Sequence, residues 1–237
     1  MENDTQDAGE AIYGMRLPGR RYLDRSDAGR TLAASLEQYK GRDVLVLGIP
    51  RGGVPVAAEV ARALEAELDV IVARKLGAPG QPELAMGAVT SNGGRFLNDE
   101  VIEGIGVSHE YLEKVTAAEM AEARSREEKF RGGRPPAAIQ DRIAIVVDDG
   151  LATGATMRAS VRSVRKHQPA RLVVAVPVGS QEACAALKQE ADEVICVYQP
   201  EVFWAVGLYF ENFEPTQDAE VVEILHRYQK QAAAKTQ

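Results

Sequence analysis

"IAIVVDDGLATGATM", residues 143–157, carries five aliphatic residues straight into two adjacent carboxylates, Asp148 and Asp149. Two glycines, two threonines and the start of an amphipathic segment follow. A short apolar run bounded by turn residues reads as a buried strand. A bend that then opens a helix presents unpaired backbone N–H groups at the positive end of the helix dipole. Gly150 and Gly154 allow close backbone approach, and Thr153 and Thr156 add hydroxyl donors. The bend therefore suits a phosphate, although it is not a Walker loop, because no Gly-Lys-Ser/Thr follows. Two acids beside it would repel that phosphate, so they make sense facing another part of the same ligand. Neighbouring sugar hydroxyls donate hydrogen bonds to carboxylates. A ribose 5-phosphate satisfies both ends, with the acids on the 2- and 3-hydroxyls and the loop amides on the phosphate. The competing readings are acids that merely cap the next helix, or a receiver-type acidic pocket.

Working outward, strands alternate with helices. "DVLVLGI" (43–49) reads as a strand, 54–68 as a helix and "DVIVAR" (69–74) as a second strand, followed by the loop-like "KLGAPGQPE". Asn92-Gly93-Gly94 supplies positive φ for a hairpin within 84–98. Ser108 caps a long charged helix over 108–130. Strands at 142–147, 171–178 and 193–198 alternate with helices near 154–167 and 181–189, and a last helix covers 218–231. Such crossovers predict an α/β fold with a mostly parallel sheet covered by helices on both faces. Ligands bind such sheets outside the carboxyl ends of the strands. The first 40 residues, an insertion at 76–130 and residues 200–215 interrupt the alternation, within one domain spanning 1–237.

The net charge of -7 over 237 residues argues against a general nucleic-acid binder, which needs a basic face. Cys184 and Cys196 lack metal spacing and read as reduced core thiols. The acidic start "MENDTQDAGE" has no apolar signal region, and no apolar run approaches the roughly 20 residues of a membrane helix. The expectation is a cytoplasmic protein without membrane contact.

"VVDDGLATGATM" resembles the phosphoribosyl-diphosphate (PRPP) signature of type I phosphoribosyltransferases, with wording closest to the adenine-type enzymes. The resemblance extends from about residue 25 to 225. It implies that Asp148 and Asp149 hold the ribose hydroxyls, with Gly150, Ala152, Thr153, Gly154, Ala155 and Thr156 around the 5-phosphate. It also implies a small hood contributed by the N-terminal region and residues 198–215. "GIPRGGVPVA" (48–57) stands where the family has its pyrophosphate loop, which assigns Arg51, Gly52 and Gly53 to the leaving group. Arg74 and Lys75 in "ARKLGAPG" resemble the next loop of the adenine enzymes and add positive charge; a solvated basic pair is the alternative. The activity implied is Mg²⁺-dependent transfer of a 5-phosphoribosyl group from PRPP to a nitrogenous acceptor, by a homodimer. Asp148 and Asp149 are candidate metal ligands beside PRPP itself.

The pattern departs from the family in two places. Many purine enzymes carry an acid where Ala152 stands, so Glu83, in a segment over 77–85 that reads as a mobile lid, becomes the candidate acid; a solvent-facing glutamate is the alternative. No lysine accompanies Pro177 in "VVAVPVGS", where 6-oxopurine enzymes read a carbonyl. Tyr198, Phe203, Trp204, Tyr209, Phe210 and Phe213 crowd one segment. The family places a base there, with Trp204 over the ring and Val206 beside it; hydrophobic cover is the alternative. His109, His167 and His226 lie outside every motif. A non-catalytic PRPP or nucleotide sensor of the same fold, or a hydrolase of phosphoribosyl compounds, also satisfies these residues.

Overall fold

Val44 and Val46 are buried in one apolar cluster and Leu45 and Leu47 in another, so alternate residues of a single strand feed cores on both faces of the sheet. The computed structural model describes residues 11–12, 15–16 and 21–235. The rest of the N-terminal region, expected to join the hood, lies outside the described residues. In chain order, β1 (Ala11–Ile12) and β2 (Met15–Arg16) pair antiparallel, and α1 spans Arg25–Ala34. Then come β3 (Val44–Gly48), α2 (Gly53–Leu64) and β4 (Glu67–Val70). The insertion holds β5 (Ala73–Ala78), β6 (Gln81–Thr90), β7 (Arg95–Leu97), α3 (Asp99–Gly104) and α4 (His109–Arg131). After it follow β8 (Ile143–Val147), α5 (Ala155–Arg165), β9 (Arg171–Val178), α6 (Gln181–Leu187), β10 (Glu193–Tyr198) and α7 (Asp218–Lys235).

The main sheet runs β10-β9-β8-β3-β4, with every neighbouring pair parallel. Leu32, Val60 and Leu225 from α1, α2 and α7 cover one face, against Val46, Ile145 and Val173. Met157, Val161 and Leu187 from α5 and α6 cover the other, against Leu45, Val146 and Val174. This is the predicted α/β architecture.

Two expectations change. The strand expected over 69–74 is two: β4 ends at Val70, and β5 leaves the sheet at Ala73. The segment expected as a loop and lid is instead strand-paired, with Ala73 opposite Thr90 and Ala78 opposite Gln81. "ARKLGA" has neither β-branched residues nor strict alternation, so its strand form comes from the partner β6 rather than from local propensity. The hairpin at Asn92–Gly94 forms as expected between β6 and β7. Its Gly94 is required by packing, because a Cβ there would stand 2.5 Å from the Ala159 carbonyl of α5. The three-stranded sheet is thereby pressed against the helix that follows the acid pair, with Ala88 and Phe96 packed on Ala155 and Ala159.

The sheet edge is fixed by a buried ion pair. Arg131, at the end of α4, donates through Nε to both Asp69 oxygens at 3.0 and 3.1 Å, and through Nη2 to the Val70 carbonyl at 2.7 Å. Asp69 is 6 % exposed and also accepts from the Ala137 amide at 2.9 Å. Arg131 Nη1 also donates to Glu127 at 3.0 Å, so removing Asp69 leaves the guanidinium with one carboxylate and the Ala137 amide without its acceptor. Asp69→Ala is expected to lose about 1–3 kcal/mol in urea unfolding, whereas Arg227→Ala, at an exposed helical pair with Glu223, leaves stability unchanged. A loss for Asp69→Ala no larger than that of the surface variant would contradict this anchoring role.

Candidate ligand site at the strand ends

β3 and β8 are neighbours, and Ile49 N–H donates to the Val147 carbonyl at 2.9 Å just past their last ladder pair. The loops that follow them leave the sheet side by side. A Cβ on Gly53 would lie 2.7 Å from the Val147 carbonyl and 2.8 Å from Asp148 Cα. One on Gly52 would lie 1.9 Å from Asp149 Oδ2. The glycine pair of one loop is thus the seat of the acid pair of the other, and the Pro50–Arg51 peptide ahead of it is cis. Gly150 serves the hood in the same way, because a Cβ there would meet Val206 Cγ1 at 2.5 Å.

The two acids are unequal. Asp149 accepts from Arg25 Nε at 2.8 Å, while among the described residues Asp148 Oδ1 accepts only the Asp149 amide, at 2.8 Å. Burial, and then the neighbouring Asp149, push the Asp148 carboxyl well above the usual carboxylate range. Burial also raises Asp149, opposed by the Arg25 guanidinium. Arg25 falls in the first 40 residues, where only the folded chain reveals its partner 124 positions away.

Beyond the acids, Leu151 N–H donates to the Val178 carbonyl at 2.9 Å, and Ser180 Oγ donates to the Ala152 carbonyl at 2.8 Å. Gly154, at φ 77°, opens α5 without a side-chain cap. The first amides of the helix are therefore left for another acceptor. Ala152 and Thr153 are exposed, Thr156 is half-buried and Ala155 is buried.

The expected cations are divided. Arg51 lies 3.6 Å from Asp218, which also holds Lys129 at 2.8 Å. Arg74 Nε pairs with Glu119 at 2.8 Å, and Lys75 is exposed and makes no ion pair among the described residues. Arg74, Lys75 and Thr156 line one cavity of about 460 Å³ together with Pro82 and Tyr111, so the hairpin and the start of α5 share a pocket. Glu83 is exposed on β6 and does not line it. In the hood, Tyr209 and Phe210 are core, with Phe203 stacked on Tyr209 at 5.4 Å and Phe213 tilted against Phe210 at 4.9 Å. Trp204 stands outside this cluster at 66 % exposure. His109 and His226 are exposed, and the exposed His167 contacts Asn92.

Among the described residues no group of three or more His, Cys, Asp or Glu is placed to hold a metal ion. None of the helices is long and apolar enough to cross a membrane among those residues.

Residues 21–211 match the family model described as a phosphoribosyl transferase domain. A Mycobacterium tuberculosis (strain H37Rv) protein that carries a provisional phosphoribosyl transferase name is 48% identical over 204 residues, 86% of this chain. The match takes in 46% of that protein, so this chain spans less than half of its curated relative. The crystal structure of TT1426 from Thermus thermophilus is 44% identical with a TM-score of 0.74, covering 88% of this chain and 99% of that one.

The acid pair gives a signed stability prediction. Because the folded-state affinity of Asp148 for its proton is raised, folded protein retains a proton that the unfolded chain has already released. Stability therefore falls as pH rises through the window from the ordinary carboxylate value up to the raised one. Asp148→Asn removes this cost. Without divalent cations its Tm is expected to exceed that of the wild type at about pH 8 and to converge with it near pH 3. A lower Tm at the higher pH would show that the carboxylate stabilises the free protein.

Proposed function

This chain belongs to the phosphoribosyl transferase family, and from that premise we propose that it moves the 5-phosphoribosyl group of PRPP to a nitrogenous acceptor of nucleobase type, releasing pyrophosphate. One observation carries the reading: two glycine loops on adjacent strand ends close on one pair of carboxylates. A ligand with a phosphate at one end, a diol in the middle and a diphosphate at the other matches that sequence of surfaces.

In this reading Asp148 and Asp149 accept hydrogen bonds from the ribose hydroxyls. Thr153, Thr156 and the amides of Gly154 and Ala155 hold the 5-phosphate, where the dipole of α5 adds to the attraction. Gly52 and Gly53 turn their backbone to the diphosphate, because no side chain fits at either position. The bond between the anomeric carbon and the diphosphate oxygen breaks, and a bond to the acceptor nitrogen forms. Charge on the leaving group is offset by Arg51, Arg74 and Lys75. The present partners of the two arginines, Asp218 and Glu119, form partly exposed pairs that cost little to open. Trp204 offers a free aromatic face to a planar base beside Val206. Glu83 is proposed as a hairpin acid that approaches only with substrate bound.

The carboxylate pair fits Mg²⁺, which takes one or two carboxylates and completes its shell with water and substrate phosphates. Asp148 and Asp149 would hold it, and when bound it neutralises charge on the diphosphate. The proposal includes a cytoplasmic homodimer.

The test is pyrophosphate release from PRPP and Mg²⁺ over a panel of nucleobases. Release with at least one base supports transfer. Binding of PRPP without release on any base instead makes the chain a sensor, and release without any base makes it a hydrolase. Asp148→Asn combined with Asp149→Asn is expected to weaken PRPP by about 100-fold or more while the circular dichroism spectrum stays unchanged. Undiminished affinity in that double variant removes the diol assignment.

A further inference from the structure

Arg25 opens α1, yet its guanidinium meets Asp149, 124 residues away, and Glu214, 189 residues away. Nε donates to Asp149 Oδ2 and Nη1 to the Glu214 carbonyl, both at 2.8 Å. The guanidinium carbon lies 4.0 Å over the Phe213 ring. The fourth side is closed by Gly52, whose Cβ, if present, would stand 3.0 Å from Arg25 Nε. The Arg25 side chain is only 12 % exposed.

An exposed arginine–aspartate pair samples many geometries and contributes little. A planar fork held by an acid, a carbonyl, a ring and a backbone keeps one. Two of those supports, Phe213 and Glu214, belong to the hood. The other two belong to the loops after β8 and β3. Arg25 therefore joins the part of the molecule assigned to the acceptor with the part assigned to the sugar.

We propose that Arg25 is a positioning residue: it orients the Asp149 carboxylate toward the ribose diol and ties it to the hood, so that the sugar and acceptor faces are energetically coupled. This rests on the reading of Asp149 as a diol acid. Coupling of this kind is reciprocal. A sugar that fixes Asp149 steadies Phe213 and Glu214, and an occupant of the hood strengthens the hold on the sugar.

The test is calorimetric titration of the full chain with ribose 5-phosphate and, separately, with inorganic phosphate, which lacks the diol. Wild type is expected to bind the sugar phosphate more tightly. Arg25→Gln is expected to weaken ribose 5-phosphate about tenfold or more and phosphate by less than about twofold. Arg25→Lys restores part of the loss, because it keeps the charge and not the fork. Phe213→Leu gives a smaller loss in the same direction, which marks the tie to the hood. Equal weakening of both ligands, or of neither, overturns the proposal, and an unchanged Phe213→Leu overturns its hood half. Should Arg25→Gln fail to fold, the ratio of the two affinities in Arg25→Lys decides the same question. If wild type itself shows no preference for ribose 5-phosphate, the diol reading fails first, before any variant is compared.

Discussion

The hydrogen bond from Ile49 to Val147 extends the pairing of β3 and β8 one step past their ladder, and the seating of the acid pair against the glycine pair depends on it. Because these strands are neighbours, the loops that leave them emerge in contact rather than across a cleft. Contact at that range excludes side chains, which is why glycine stands at 52 and 53. The acids of the second loop then fill the space that those side chains would have taken. A parallel sheet brings together two segments about a hundred residues apart without any long-range specificity beyond the ladder itself.

The sheet was legible because its strands are buried on both sides. "IAIVV" and "LVVAVPV" are continuous apolar runs, and the glycine and threonine punctuation after "IAIVV" marks where the chain must turn. The hairpin of β5 and β6 was not legible in the same way. "ARKLGAPGQPE" carries turn residues and little β propensity, and its pairing follows from the second strand and from the packing of Leu76 and Met86 against Leu112. The acid pair and the glycines of the site could be read from local pattern. Arg25 could not, since its partners Gly52, Asp149, Phe213 and Glu214 are all distant in sequence. Nor does pattern alone distinguish the packed rings, Tyr209 and Phe210, from the exposed one, Trp204.

Two half-buried carboxylates side by side, one without an ion-pair partner among the described residues, are costly to a free protein. The fold tolerates them because the β8 end and the Gly52–Gly53 backbone are already fixed by strand pairing, and because Arg25 relieves one of the two. The cost is concentrated at Asp148, the member nearest the sheet. The arginines Arg51 and Arg74 show the opposite economy, since each rests on a partly exposed carboxylate from which it is readily drawn away. The acids and the arginines thus differ in how firmly the fold holds them.

Val206 sits where a side chain on Gly150 would be, so the hood and the bend after β8 constrain each other's shape. A side chain added at 150 would therefore require a smaller residue at 206. The outward rim from Val202 to Trp204, 61 % and 66 % exposed, is free of that bond. Substitutions at Val202 and Trp204 can therefore reshape the outer surface of this segment while the bend after β8 keeps its form.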